Sequence, residues 1–347
     1  MNQMKNSAPI ASIILPVHNA GPYLEKCLGS LVSQTLQNIE IIAVLDCPTD
    51  GSDRLVKEYA KRFPQIVVLE NASSLHIGNS RNRGLDAAKG KYIGFCDHDD
   101  WYAPIMCERF VHAMENYGYD MMVSPYVGIV RGQKEVLYTY PCMDSECLAK
   151  SVFSTAVGIT DPGDPMRRFA LSGVIWNKFF RRNLIEEHHI RFIDTKKASP
   201  EDLAFLMEYS YYATTCGICN EELYFHQIEI NNTGATMAYN EMDKFLAGLE
   251  HTYEFLIRNN LYNKMQARFY NTVISMCHIS LAATFRKCGL KAFLLAMNKM
   301  MRVDFVRTAY MNSKQCVLPK DDTWKSFLMM KFERFYMNTI HTNGGGI

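Results

Sequence analysis

The stretch Tyr92-Ile93-Gly94-Phe95-Cys96-Asp97-His98-Asp99-Asp100-Trp101-Tyr102 runs from a short apolar segment straight into three carboxylates. Its first five residues have the composition of a buried strand, and the charges fall where that strand must end. Carboxylates crowded at such a place cost repulsion and desolvation, which a divalent cation would offset. Mg²⁺ and Mn²⁺ take carboxylate oxygens and keep positions open for substrate phosphates. Asp-rich runs at strand ends are also turn formers whose side chains bond the backbone. The run alone leaves both readings open, so its surroundings must decide.

Upstream of the run the pattern alternates in period. Residues 11–15 form an apolar run, and 23–34 then place Leu24, Cys27, Leu28, Leu31 and Val32 at helical spacing. Strands are predicted at 40–45, 66–69, 92–96 and 121–124, with helices at 52–62, 80–89 and 104–116 between them. Strand–helix alternation with short links predicts an open, mostly parallel sheet with helices on both faces. Ligands bind such sheets at the carboxyl ends of the strands. Pro16, His18 and Asn19 follow the first strand, Asp46 the second and Asp97, Asp99 and Asp100 a later one, so three loops converge on one rim. No GxGxxG follows the first strand and no GxxxxGK[ST] occurs, which leaves dinucleotide and P-loop readings unsupported.

Beyond residue 125 the pattern predicts a hairpin at 126–140 turning at Gly132, a strand at 174–180 and a helix start at Arg181-Arg182. A helix at 200–211 carries Pro200 in its first turn. From about residue 239 the pattern is wholly helical. Leu290, Phe293, Leu294, Met297, Met301 and Phe305 form one apolar stripe, and Trp324, Phe327, Leu328, Phe332 and Phe335 another. The stripes can pack on each other and on the sheet, or offer a basic, aromatic-edged surface to anionic lipid.

The 347 residues are 21% charged and 48% apolar, ordinary values for a folded chain. The net charge of +1 hides a polarity: residues 244–347 hold 15 Lys/Arg against 6 Asp/Glu, about +9, and residues 1–243 hold 22 against 30, about −8. The N-terminal residues contain no apolar segment long enough for secretion, and the longest apolar-rich stretch, 272–285, suits a buried helix better than a membrane span. A cytoplasmic location is expected. Eleven scattered cysteines fit reduced, buried thiols. Cys216 and Cys219 form a lone CxxC; its neighbours suggest a strand, on which the two thiols would face opposite sides, and this argues against zinc.

Several strings stand together. Ser12-Ile-Ile-Leu-Pro-Val-His-Asn19, Tyr23-Leu-Glu-Lys-Cys-Leu28, Ser33-Gln-Thr35, Asp46-Cys-Pro-Thr-Asp-Gly-Ser52, Arg81-Asn82 with Gly84, Ala88-Lys-Gly90 and Asp97-His-Asp-Asp-Trp-Tyr102 resemble family 2 glycosyltransferases. The resemblance is dense over residues 10–125, continues through Trp176-Asn-Lys178 and Glu201-Asp202 to about 235, and then stops. It implies a GT-A fold, a Rossmann-like α/β architecture with a mostly parallel central sheet, over residues 1–238. The nucleotide-binding half would span about 10–125 and the acceptor-side half about 126–238, with a basic helical region at 239–347.

The resemblance also implies roles. Asp46 would accept from the N3–H of a uracil, Pro16 and His18 would frame the base beside Asn19, and Arg81 would lie near the nucleotide. Asp97 would contact the ribose, Asp99 would ligate Mn²⁺ or Mg²⁺ on the diphosphate, and Asp100 would hold the loop. Asp202 matches the catalytic base, with Glu201, Trp176 and Lys178 in support. Family members more often have Tyr at His18, Gly-Ser at Cys47-Pro48 and an Arg near Gln227. His226 beside it reads as a satisfied strand histidine or as a substitute phosphate contact. The implied activity is inverting, metal-assisted transfer from a nucleotide-sugar, UDP-sugar first, to a saccharide or lipid-linked saccharide of a surface glycan. No nucleic-acid partner is expected. A catalytically inactive nucleotide-sugar-binding module would be expected to lack the metal Asp or the base, and a nucleotidyltransferase would need a Gly-rich basic loop after the first strand.

Overall fold

The computed structural model describes residues 8–137, 145–158, 174–228 and 242–312. Chain order begins β1 Ala11–Val17, α1 Leu24–Val32, β2 Ile39–Leu45, α2 Ser52–Arg62, β3 Ile66–Glu70, α3 His76–Ala87, β4 Tyr92–Phe95, β5 Trp101–Tyr102 and α4 Met106–Tyr117. It continues with β6 Met121–Val123, β7 Tyr126–Val130, β8 Gln133–Leu137, α5 Ser145–Val157, β9 Lys178–Arg181, α6 Arg182–Glu187, α7 Glu201–Tyr212, β10 Cys216–Ile218 and β11 Tyr224–Gln227. Three helices close the described chain: α8 Met242–Arg258, α9 Tyr262–Met300 and α10 Asp304–Met311.

Seven strands form the main sheet in the order β10-β6-β9-β4-β1-β2-β3. β1 pairs in parallel with both β2 and β4, so the carboxyl ends of these three neighbours share one rim. β9 runs antiparallel to β4 and to β6 and is the exception in an otherwise parallel sheet. Every residue of β1, β2 and β4 is buried, as expected for strands covered on both faces. The period of two sorts them: Ile13, Leu15, Ile41 and Ala43 pack in one core with Leu24, Leu28, Val56 and Phe110. Ile14, Ile42, Val44 and Phe95 pack in the other with Leu85, Phe180, Phe192 and Phe205. Gly84 lets α3 lie against β1, because a Cβ there would meet Ile14 Cγ2 at 2.5 Å.

A smaller sheet, ordered β5-β11-β7-β8, stands beside the rim. The expected hairpin is present as β7 and β8, with Gly132 at φ +79 in its turn. The strand expected at 174–180 is shorter and begins at Lys178, and the helix expected from residue 80 begins at His76. The first helical stripe is buried through Phe293, Met297, Met301 and Phe305, which join Phe153 and Val157 of α5 and Met207 of α7 in a third core. Leu290 is the exception at 55% exposed. The stripe at 324–335 and the boundary expected near 238 lie outside the described residues. No helix among the described residues is long and apolar enough to cross a membrane.

Candidate active site

The rim is organised by one guanidinium. Arg81 projects from α3 and is only 1% exposed. Its Nη1 donates to Asp202 Oδ1 at 2.5 Å and to Glu201 Oε1 at 3.0 Å, while Nη2 donates to Asp97 Oδ1 at 2.8 Å. The group thereby joins the end of β4 to the first turn of α7, residues far apart in the chain. Phe192 packs against it, 5.4 Å from ring centre to the guanidinium carbon. Burial opposes the charge of Arg81, but Asp202, Asp97 and Glu201 outweigh it and hold the group protonated.

Three carboxylates around one cation leave a net charge of about −2, a setting that attracts a proton. Asp202 shows this: burial, Glu201 and Asp97 push its carboxyl well above the usual range, against the pull of Arg81 and Lys178. Asp202 engages Arg81 through Oδ1. Its other oxygen takes no hydrogen bond from the described residues.

Asp99 and Asp100 are consecutive but placed differently. Asp100 is fully buried and accepts from Tyr224 Oη at 2.5 Å, His226 Nδ1 at 3.0 Å and the Gln227 N–H at 2.8 Å. Burial pushes it up to about 6. It clamps β11 to the rim. Asp99 is part-buried and is bonded by no donor from another described residue. Burial and the Asp97 charge push its carboxyl up. No group of three or more His, Cys, Asp or Glu among the described residues forms a ready metal cage. A carboxylate held beside another and given no donor by another described residue fits a hard divalent cation completed by substrate oxygens, since such ions are usually bound through one or two carboxylates plus phosphates.

Asp46 reaches the same rim but is occupied. Its carboxylate accepts from Asn71 Nδ2 at 2.7 Å, Ser74 Oγ at 2.8 Å, and the N–H groups of Leu75 at 2.6 Å and His76 at 3.0 Å. A carboxylate has about four acceptor positions, so as folded Asp46 caps α3, and a base N–H would bond it by displacing one of these donors. Burial would raise Asp46, but the hydrogen bonds hold it below the ordinary carboxylate value. His18 Nδ1 donates to the Asp46 carbonyl at 2.6 Å, and Asn19 Oδ1 accepts from the Thr49 N–H at 2.7 Å. His18 and Asn19 are exposed, whereas Pro16 is buried within β1 opposite Val44.

Trp176 forms the floor between Tyr224 and His226, stacked at 4.3 Å and 5.1 Å. Lys178 is fully buried, and its Nζ donates to the Val174 carbonyl at 2.6 Å and Asn177 Oδ1 at 2.8 Å. Burial lowers it to about 7. Tyr224 and His226 are the site members that sequence reasoning undervalued. His226 is satisfied at Nδ1, yet its side chain is 34% exposed. Burial lowers its basicity, but Asp100, Asp97 and Asp99 outweigh it and the imidazole is raised.

Residues 12–155 match the profile of Glycosyl transferase family 2. This chain contains a family 2 glycosyltransferase domain. It is 28% identical over 258 residues to EpsH of Bacillus subtilis, covering 73% of this chain and 70% of that one. It is 28% identical over 242 residues to the poly(ribitol-phosphate) beta-glucosyltransferase of Bacillus spizizenii, covering 69% of this chain and 35% of that one. Among solved structures, Staphylococcus aureus TarS 1–349 superposes with a TM-score of 0.59 at 18% identity, over 88% of this chain and 89% of TarS 1–349. Its complex with UDP-GlcNAc scores 0.53 at 18% identity, over 88% and 91%. The mannosyltransferase PcManGT of Pyrobaculum calidifontis, in complex with GDP-Man and Mn²⁺, scores 0.53 at 13% identity, over 98% and 89%. At such identities the likeness is one of fold: the chain has a GT-A-type α/β layer structure with a mostly parallel sheet and C-terminal helices.

Proposed function

We propose that this family 2 domain transfers a sugar from a nucleotide-sugar, a UDP-sugar in the first instance, to a hydroxyl of a saccharide or lipid-linked saccharide in cell-surface glycan synthesis, with inversion. One observation carries the reading: Asp202 and Asp97 are held on opposite nitrogens of the same buried Arg81. A proton acceptor and the acidic end of β4 therefore belong to one rigid unit. The glycan context is supported by the poly(ribitol-phosphate) beta-glucosyltransferase relative, and the donor class by the UDP-GlcNAc complex of a protein of the same fold.

In this reading the acceptor hydroxyl approaches the Asp202 oxygen that Arg81 leaves free. Asp202 takes its proton as the oxygen attacks the anomeric carbon from the face opposite the nucleotide. The raised basicity of Asp202 suits that step, and Arg81 keeps the carboxylate from rotating away. His18 and Asn19 stand at the exposed edge where a base would lie. Asp99 would hold a divalent cation, which when bound neutralises charge on the departing diphosphate. His226, anchored by Asp100, presents its remaining ring edge beside the same acids and would add a hydrogen bond to that charge.

The test is release of free UDP, dTDP or GDP from a panel of nucleotide-sugars in the presence of short glycan acceptors, with Mn²⁺ or Mg²⁺. Acceptor-dependent release from one donor supports the assignment. Binding of nucleotide-sugars with no transfer to any acceptor would favour an inactive binding module instead.

A further inference from the structure

Residues 255–303 contain no Asp or Glu and eight Lys or Arg. The whole of α9 lies inside this acid-free stretch, and at Gly289 it bends, with φ +75. At the bend the chain turns its apolar side chains outward. Leu290 is 55% exposed, Leu295 64% and Phe285, whose ring edge rests on Phe293 at 5.9 Å, 47%, while Phe293, Met297 and Met300 fill the third core. Arg286 and Lys291 are exposed on the same elbow. Lys299, further along, is already paired with Asp243 of α8 at 2.5 Å, so the charge at the elbow centres on residues 286–291.

Exposed large apolar side chains interleaved with basic ones, with no acid near in sequence, are what an interfacial surface needs. The apolar groups enter the boundary between headgroups and acyl chains while the cations meet lipid phosphates. We propose that the elbow of α9 at residues 285–295 docks on an anionic phospholipid surface. The occupant is chosen on charge and polarity together. A soluble polyanion would use Arg286 and Lys291 but would have no use for Leu290 and Leu295 in water. The chain's own residues 313–347 carry five Lys/Arg against three Asp/Glu, so their charge does not complement the elbow. Lying on the surface is the mode that fits, since no helix among the described residues is long and apolar enough to cross.

The proposal stands apart from the transfer reaction, because vesicle binding is read without donor or acceptor. The intact chain is sedimented with phosphatidylcholine vesicles and with vesicles in which phosphatidylglycerol replaces part of the lipid. The wild type is expected to pellet with the anionic vesicles and to stay in the supernatant with the neutral ones. Arg286→Glu with Lys291→Glu should weaken that binding by roughly tenfold or more. Leu290→Ser with Leu295→Ser should weaken it too, while leaving any binding of soluble polyphosphate unchanged. Equal pelleting with neutral vesicles would overturn the proposal, as would variants that pellet like the wild type. Loss of thermal stability without loss of vesicle binding in the Leu290/Leu295 variant would assign those side chains to the fold rather than to the lipid, and would overturn it as well.

Discussion

Arg81 Nη1 lies 2.5 Å from Asp202 Oδ1, so the candidate base is fixed by a cation rooted in the opposite element of the site. The pairing sets orientation, while burial and two further carboxylates keep Asp202 basic. Asp202→Asn preserves shape and removes the proton acceptor. Turnover should fall by roughly 10²–10⁴-fold, the usual contribution of general-base catalysis. Binding of UDP, measured by calorimetry, should be unchanged; a loss of binding equal to the loss of turnover would assign Asp202 to the nucleotide instead.

Replacing the cation itself has a different outcome. Arg81→Met leaves Asp97, Glu201 and Asp202 facing one another without a partner in a part-buried site. Breaking a buried pair by removing one side typically costs about 3–5 kcal/mol, and a loss near the lower end is expected because the acids retain some contact with water. Urea denaturation gives the number. Adding Asp202→Asn to Arg81→Met removes one of the stranded charges and should recover part of the stability. Additive losses in the double variant would show that the charges do not interact.

The parallel core of the fold was legible because hydrophobic period and short links are local properties. β1, β2 and β4 fall within two residues of the strands expected from the sequence. What local pattern could not show is where long-range partners intervene. The start of α3 at His76 is set by Asp46, thirty residues earlier, so no capping residue stands next to it. Asp100 looked like one member of an acidic run, but its partners Tyr224, His226 and Gln227 come from β11, more than 120 residues later. The antiparallel insertion of β9 is likewise a matter of sheet order, to which strand composition is blind. Asp97, Asp99 and Asp202 were readable as types of residue. That Arg81 ties Asp97 to Asp202 was not, since nothing in the sequence relates positions 97 and 202 except the fold.

Lys178 should make stability depend on pH in the alkaline range. Its amine is lowered to about 7 in the folded chain, against an ordinary lysine value of 10.5. Between these values the unfolded chain binds the proton and the folded chain does not, so stability rises with pH from about 7 to about 10.5. Below about 7 both states are charged and the full cost of burying the cation remains. Lys178→Met removes that dependence. Unfolding free energies at pH 7 and pH 10 should differ less in the variant than in the wild type, by a few kcal/mol at about 1.4 kcal/mol per pH unit, the lost hydrogen bonds to Val174 and Asn177 being common to both pH values. A variant with the wild-type slope would place the titrating group elsewhere.

Asp99 is the acid of the run that takes no donor from another described residue, and its burial beside Asp97 is unfavourable until a cation arrives. Asp99→Ala should therefore leave the protein alone as stable as the wild type or slightly more so, because a repulsive contact is gone. Its response to ligand should be the reverse. A ligand bound only by the folded state stabilises by RT ln(1 + [L]/Kd), so Mn²⁺ and UDP together should raise the wild-type melting temperature more than UDP alone. In Asp99→Ala that added increment should disappear while the increment from UDP alone survives, since His18 and Asn19 at the exposed edge are untouched. If the Mn²⁺-dependent increment persists, the cation is held by other groups; if UDP alone loses its effect as well, Asp99 acts on the nucleotide directly rather than through a metal.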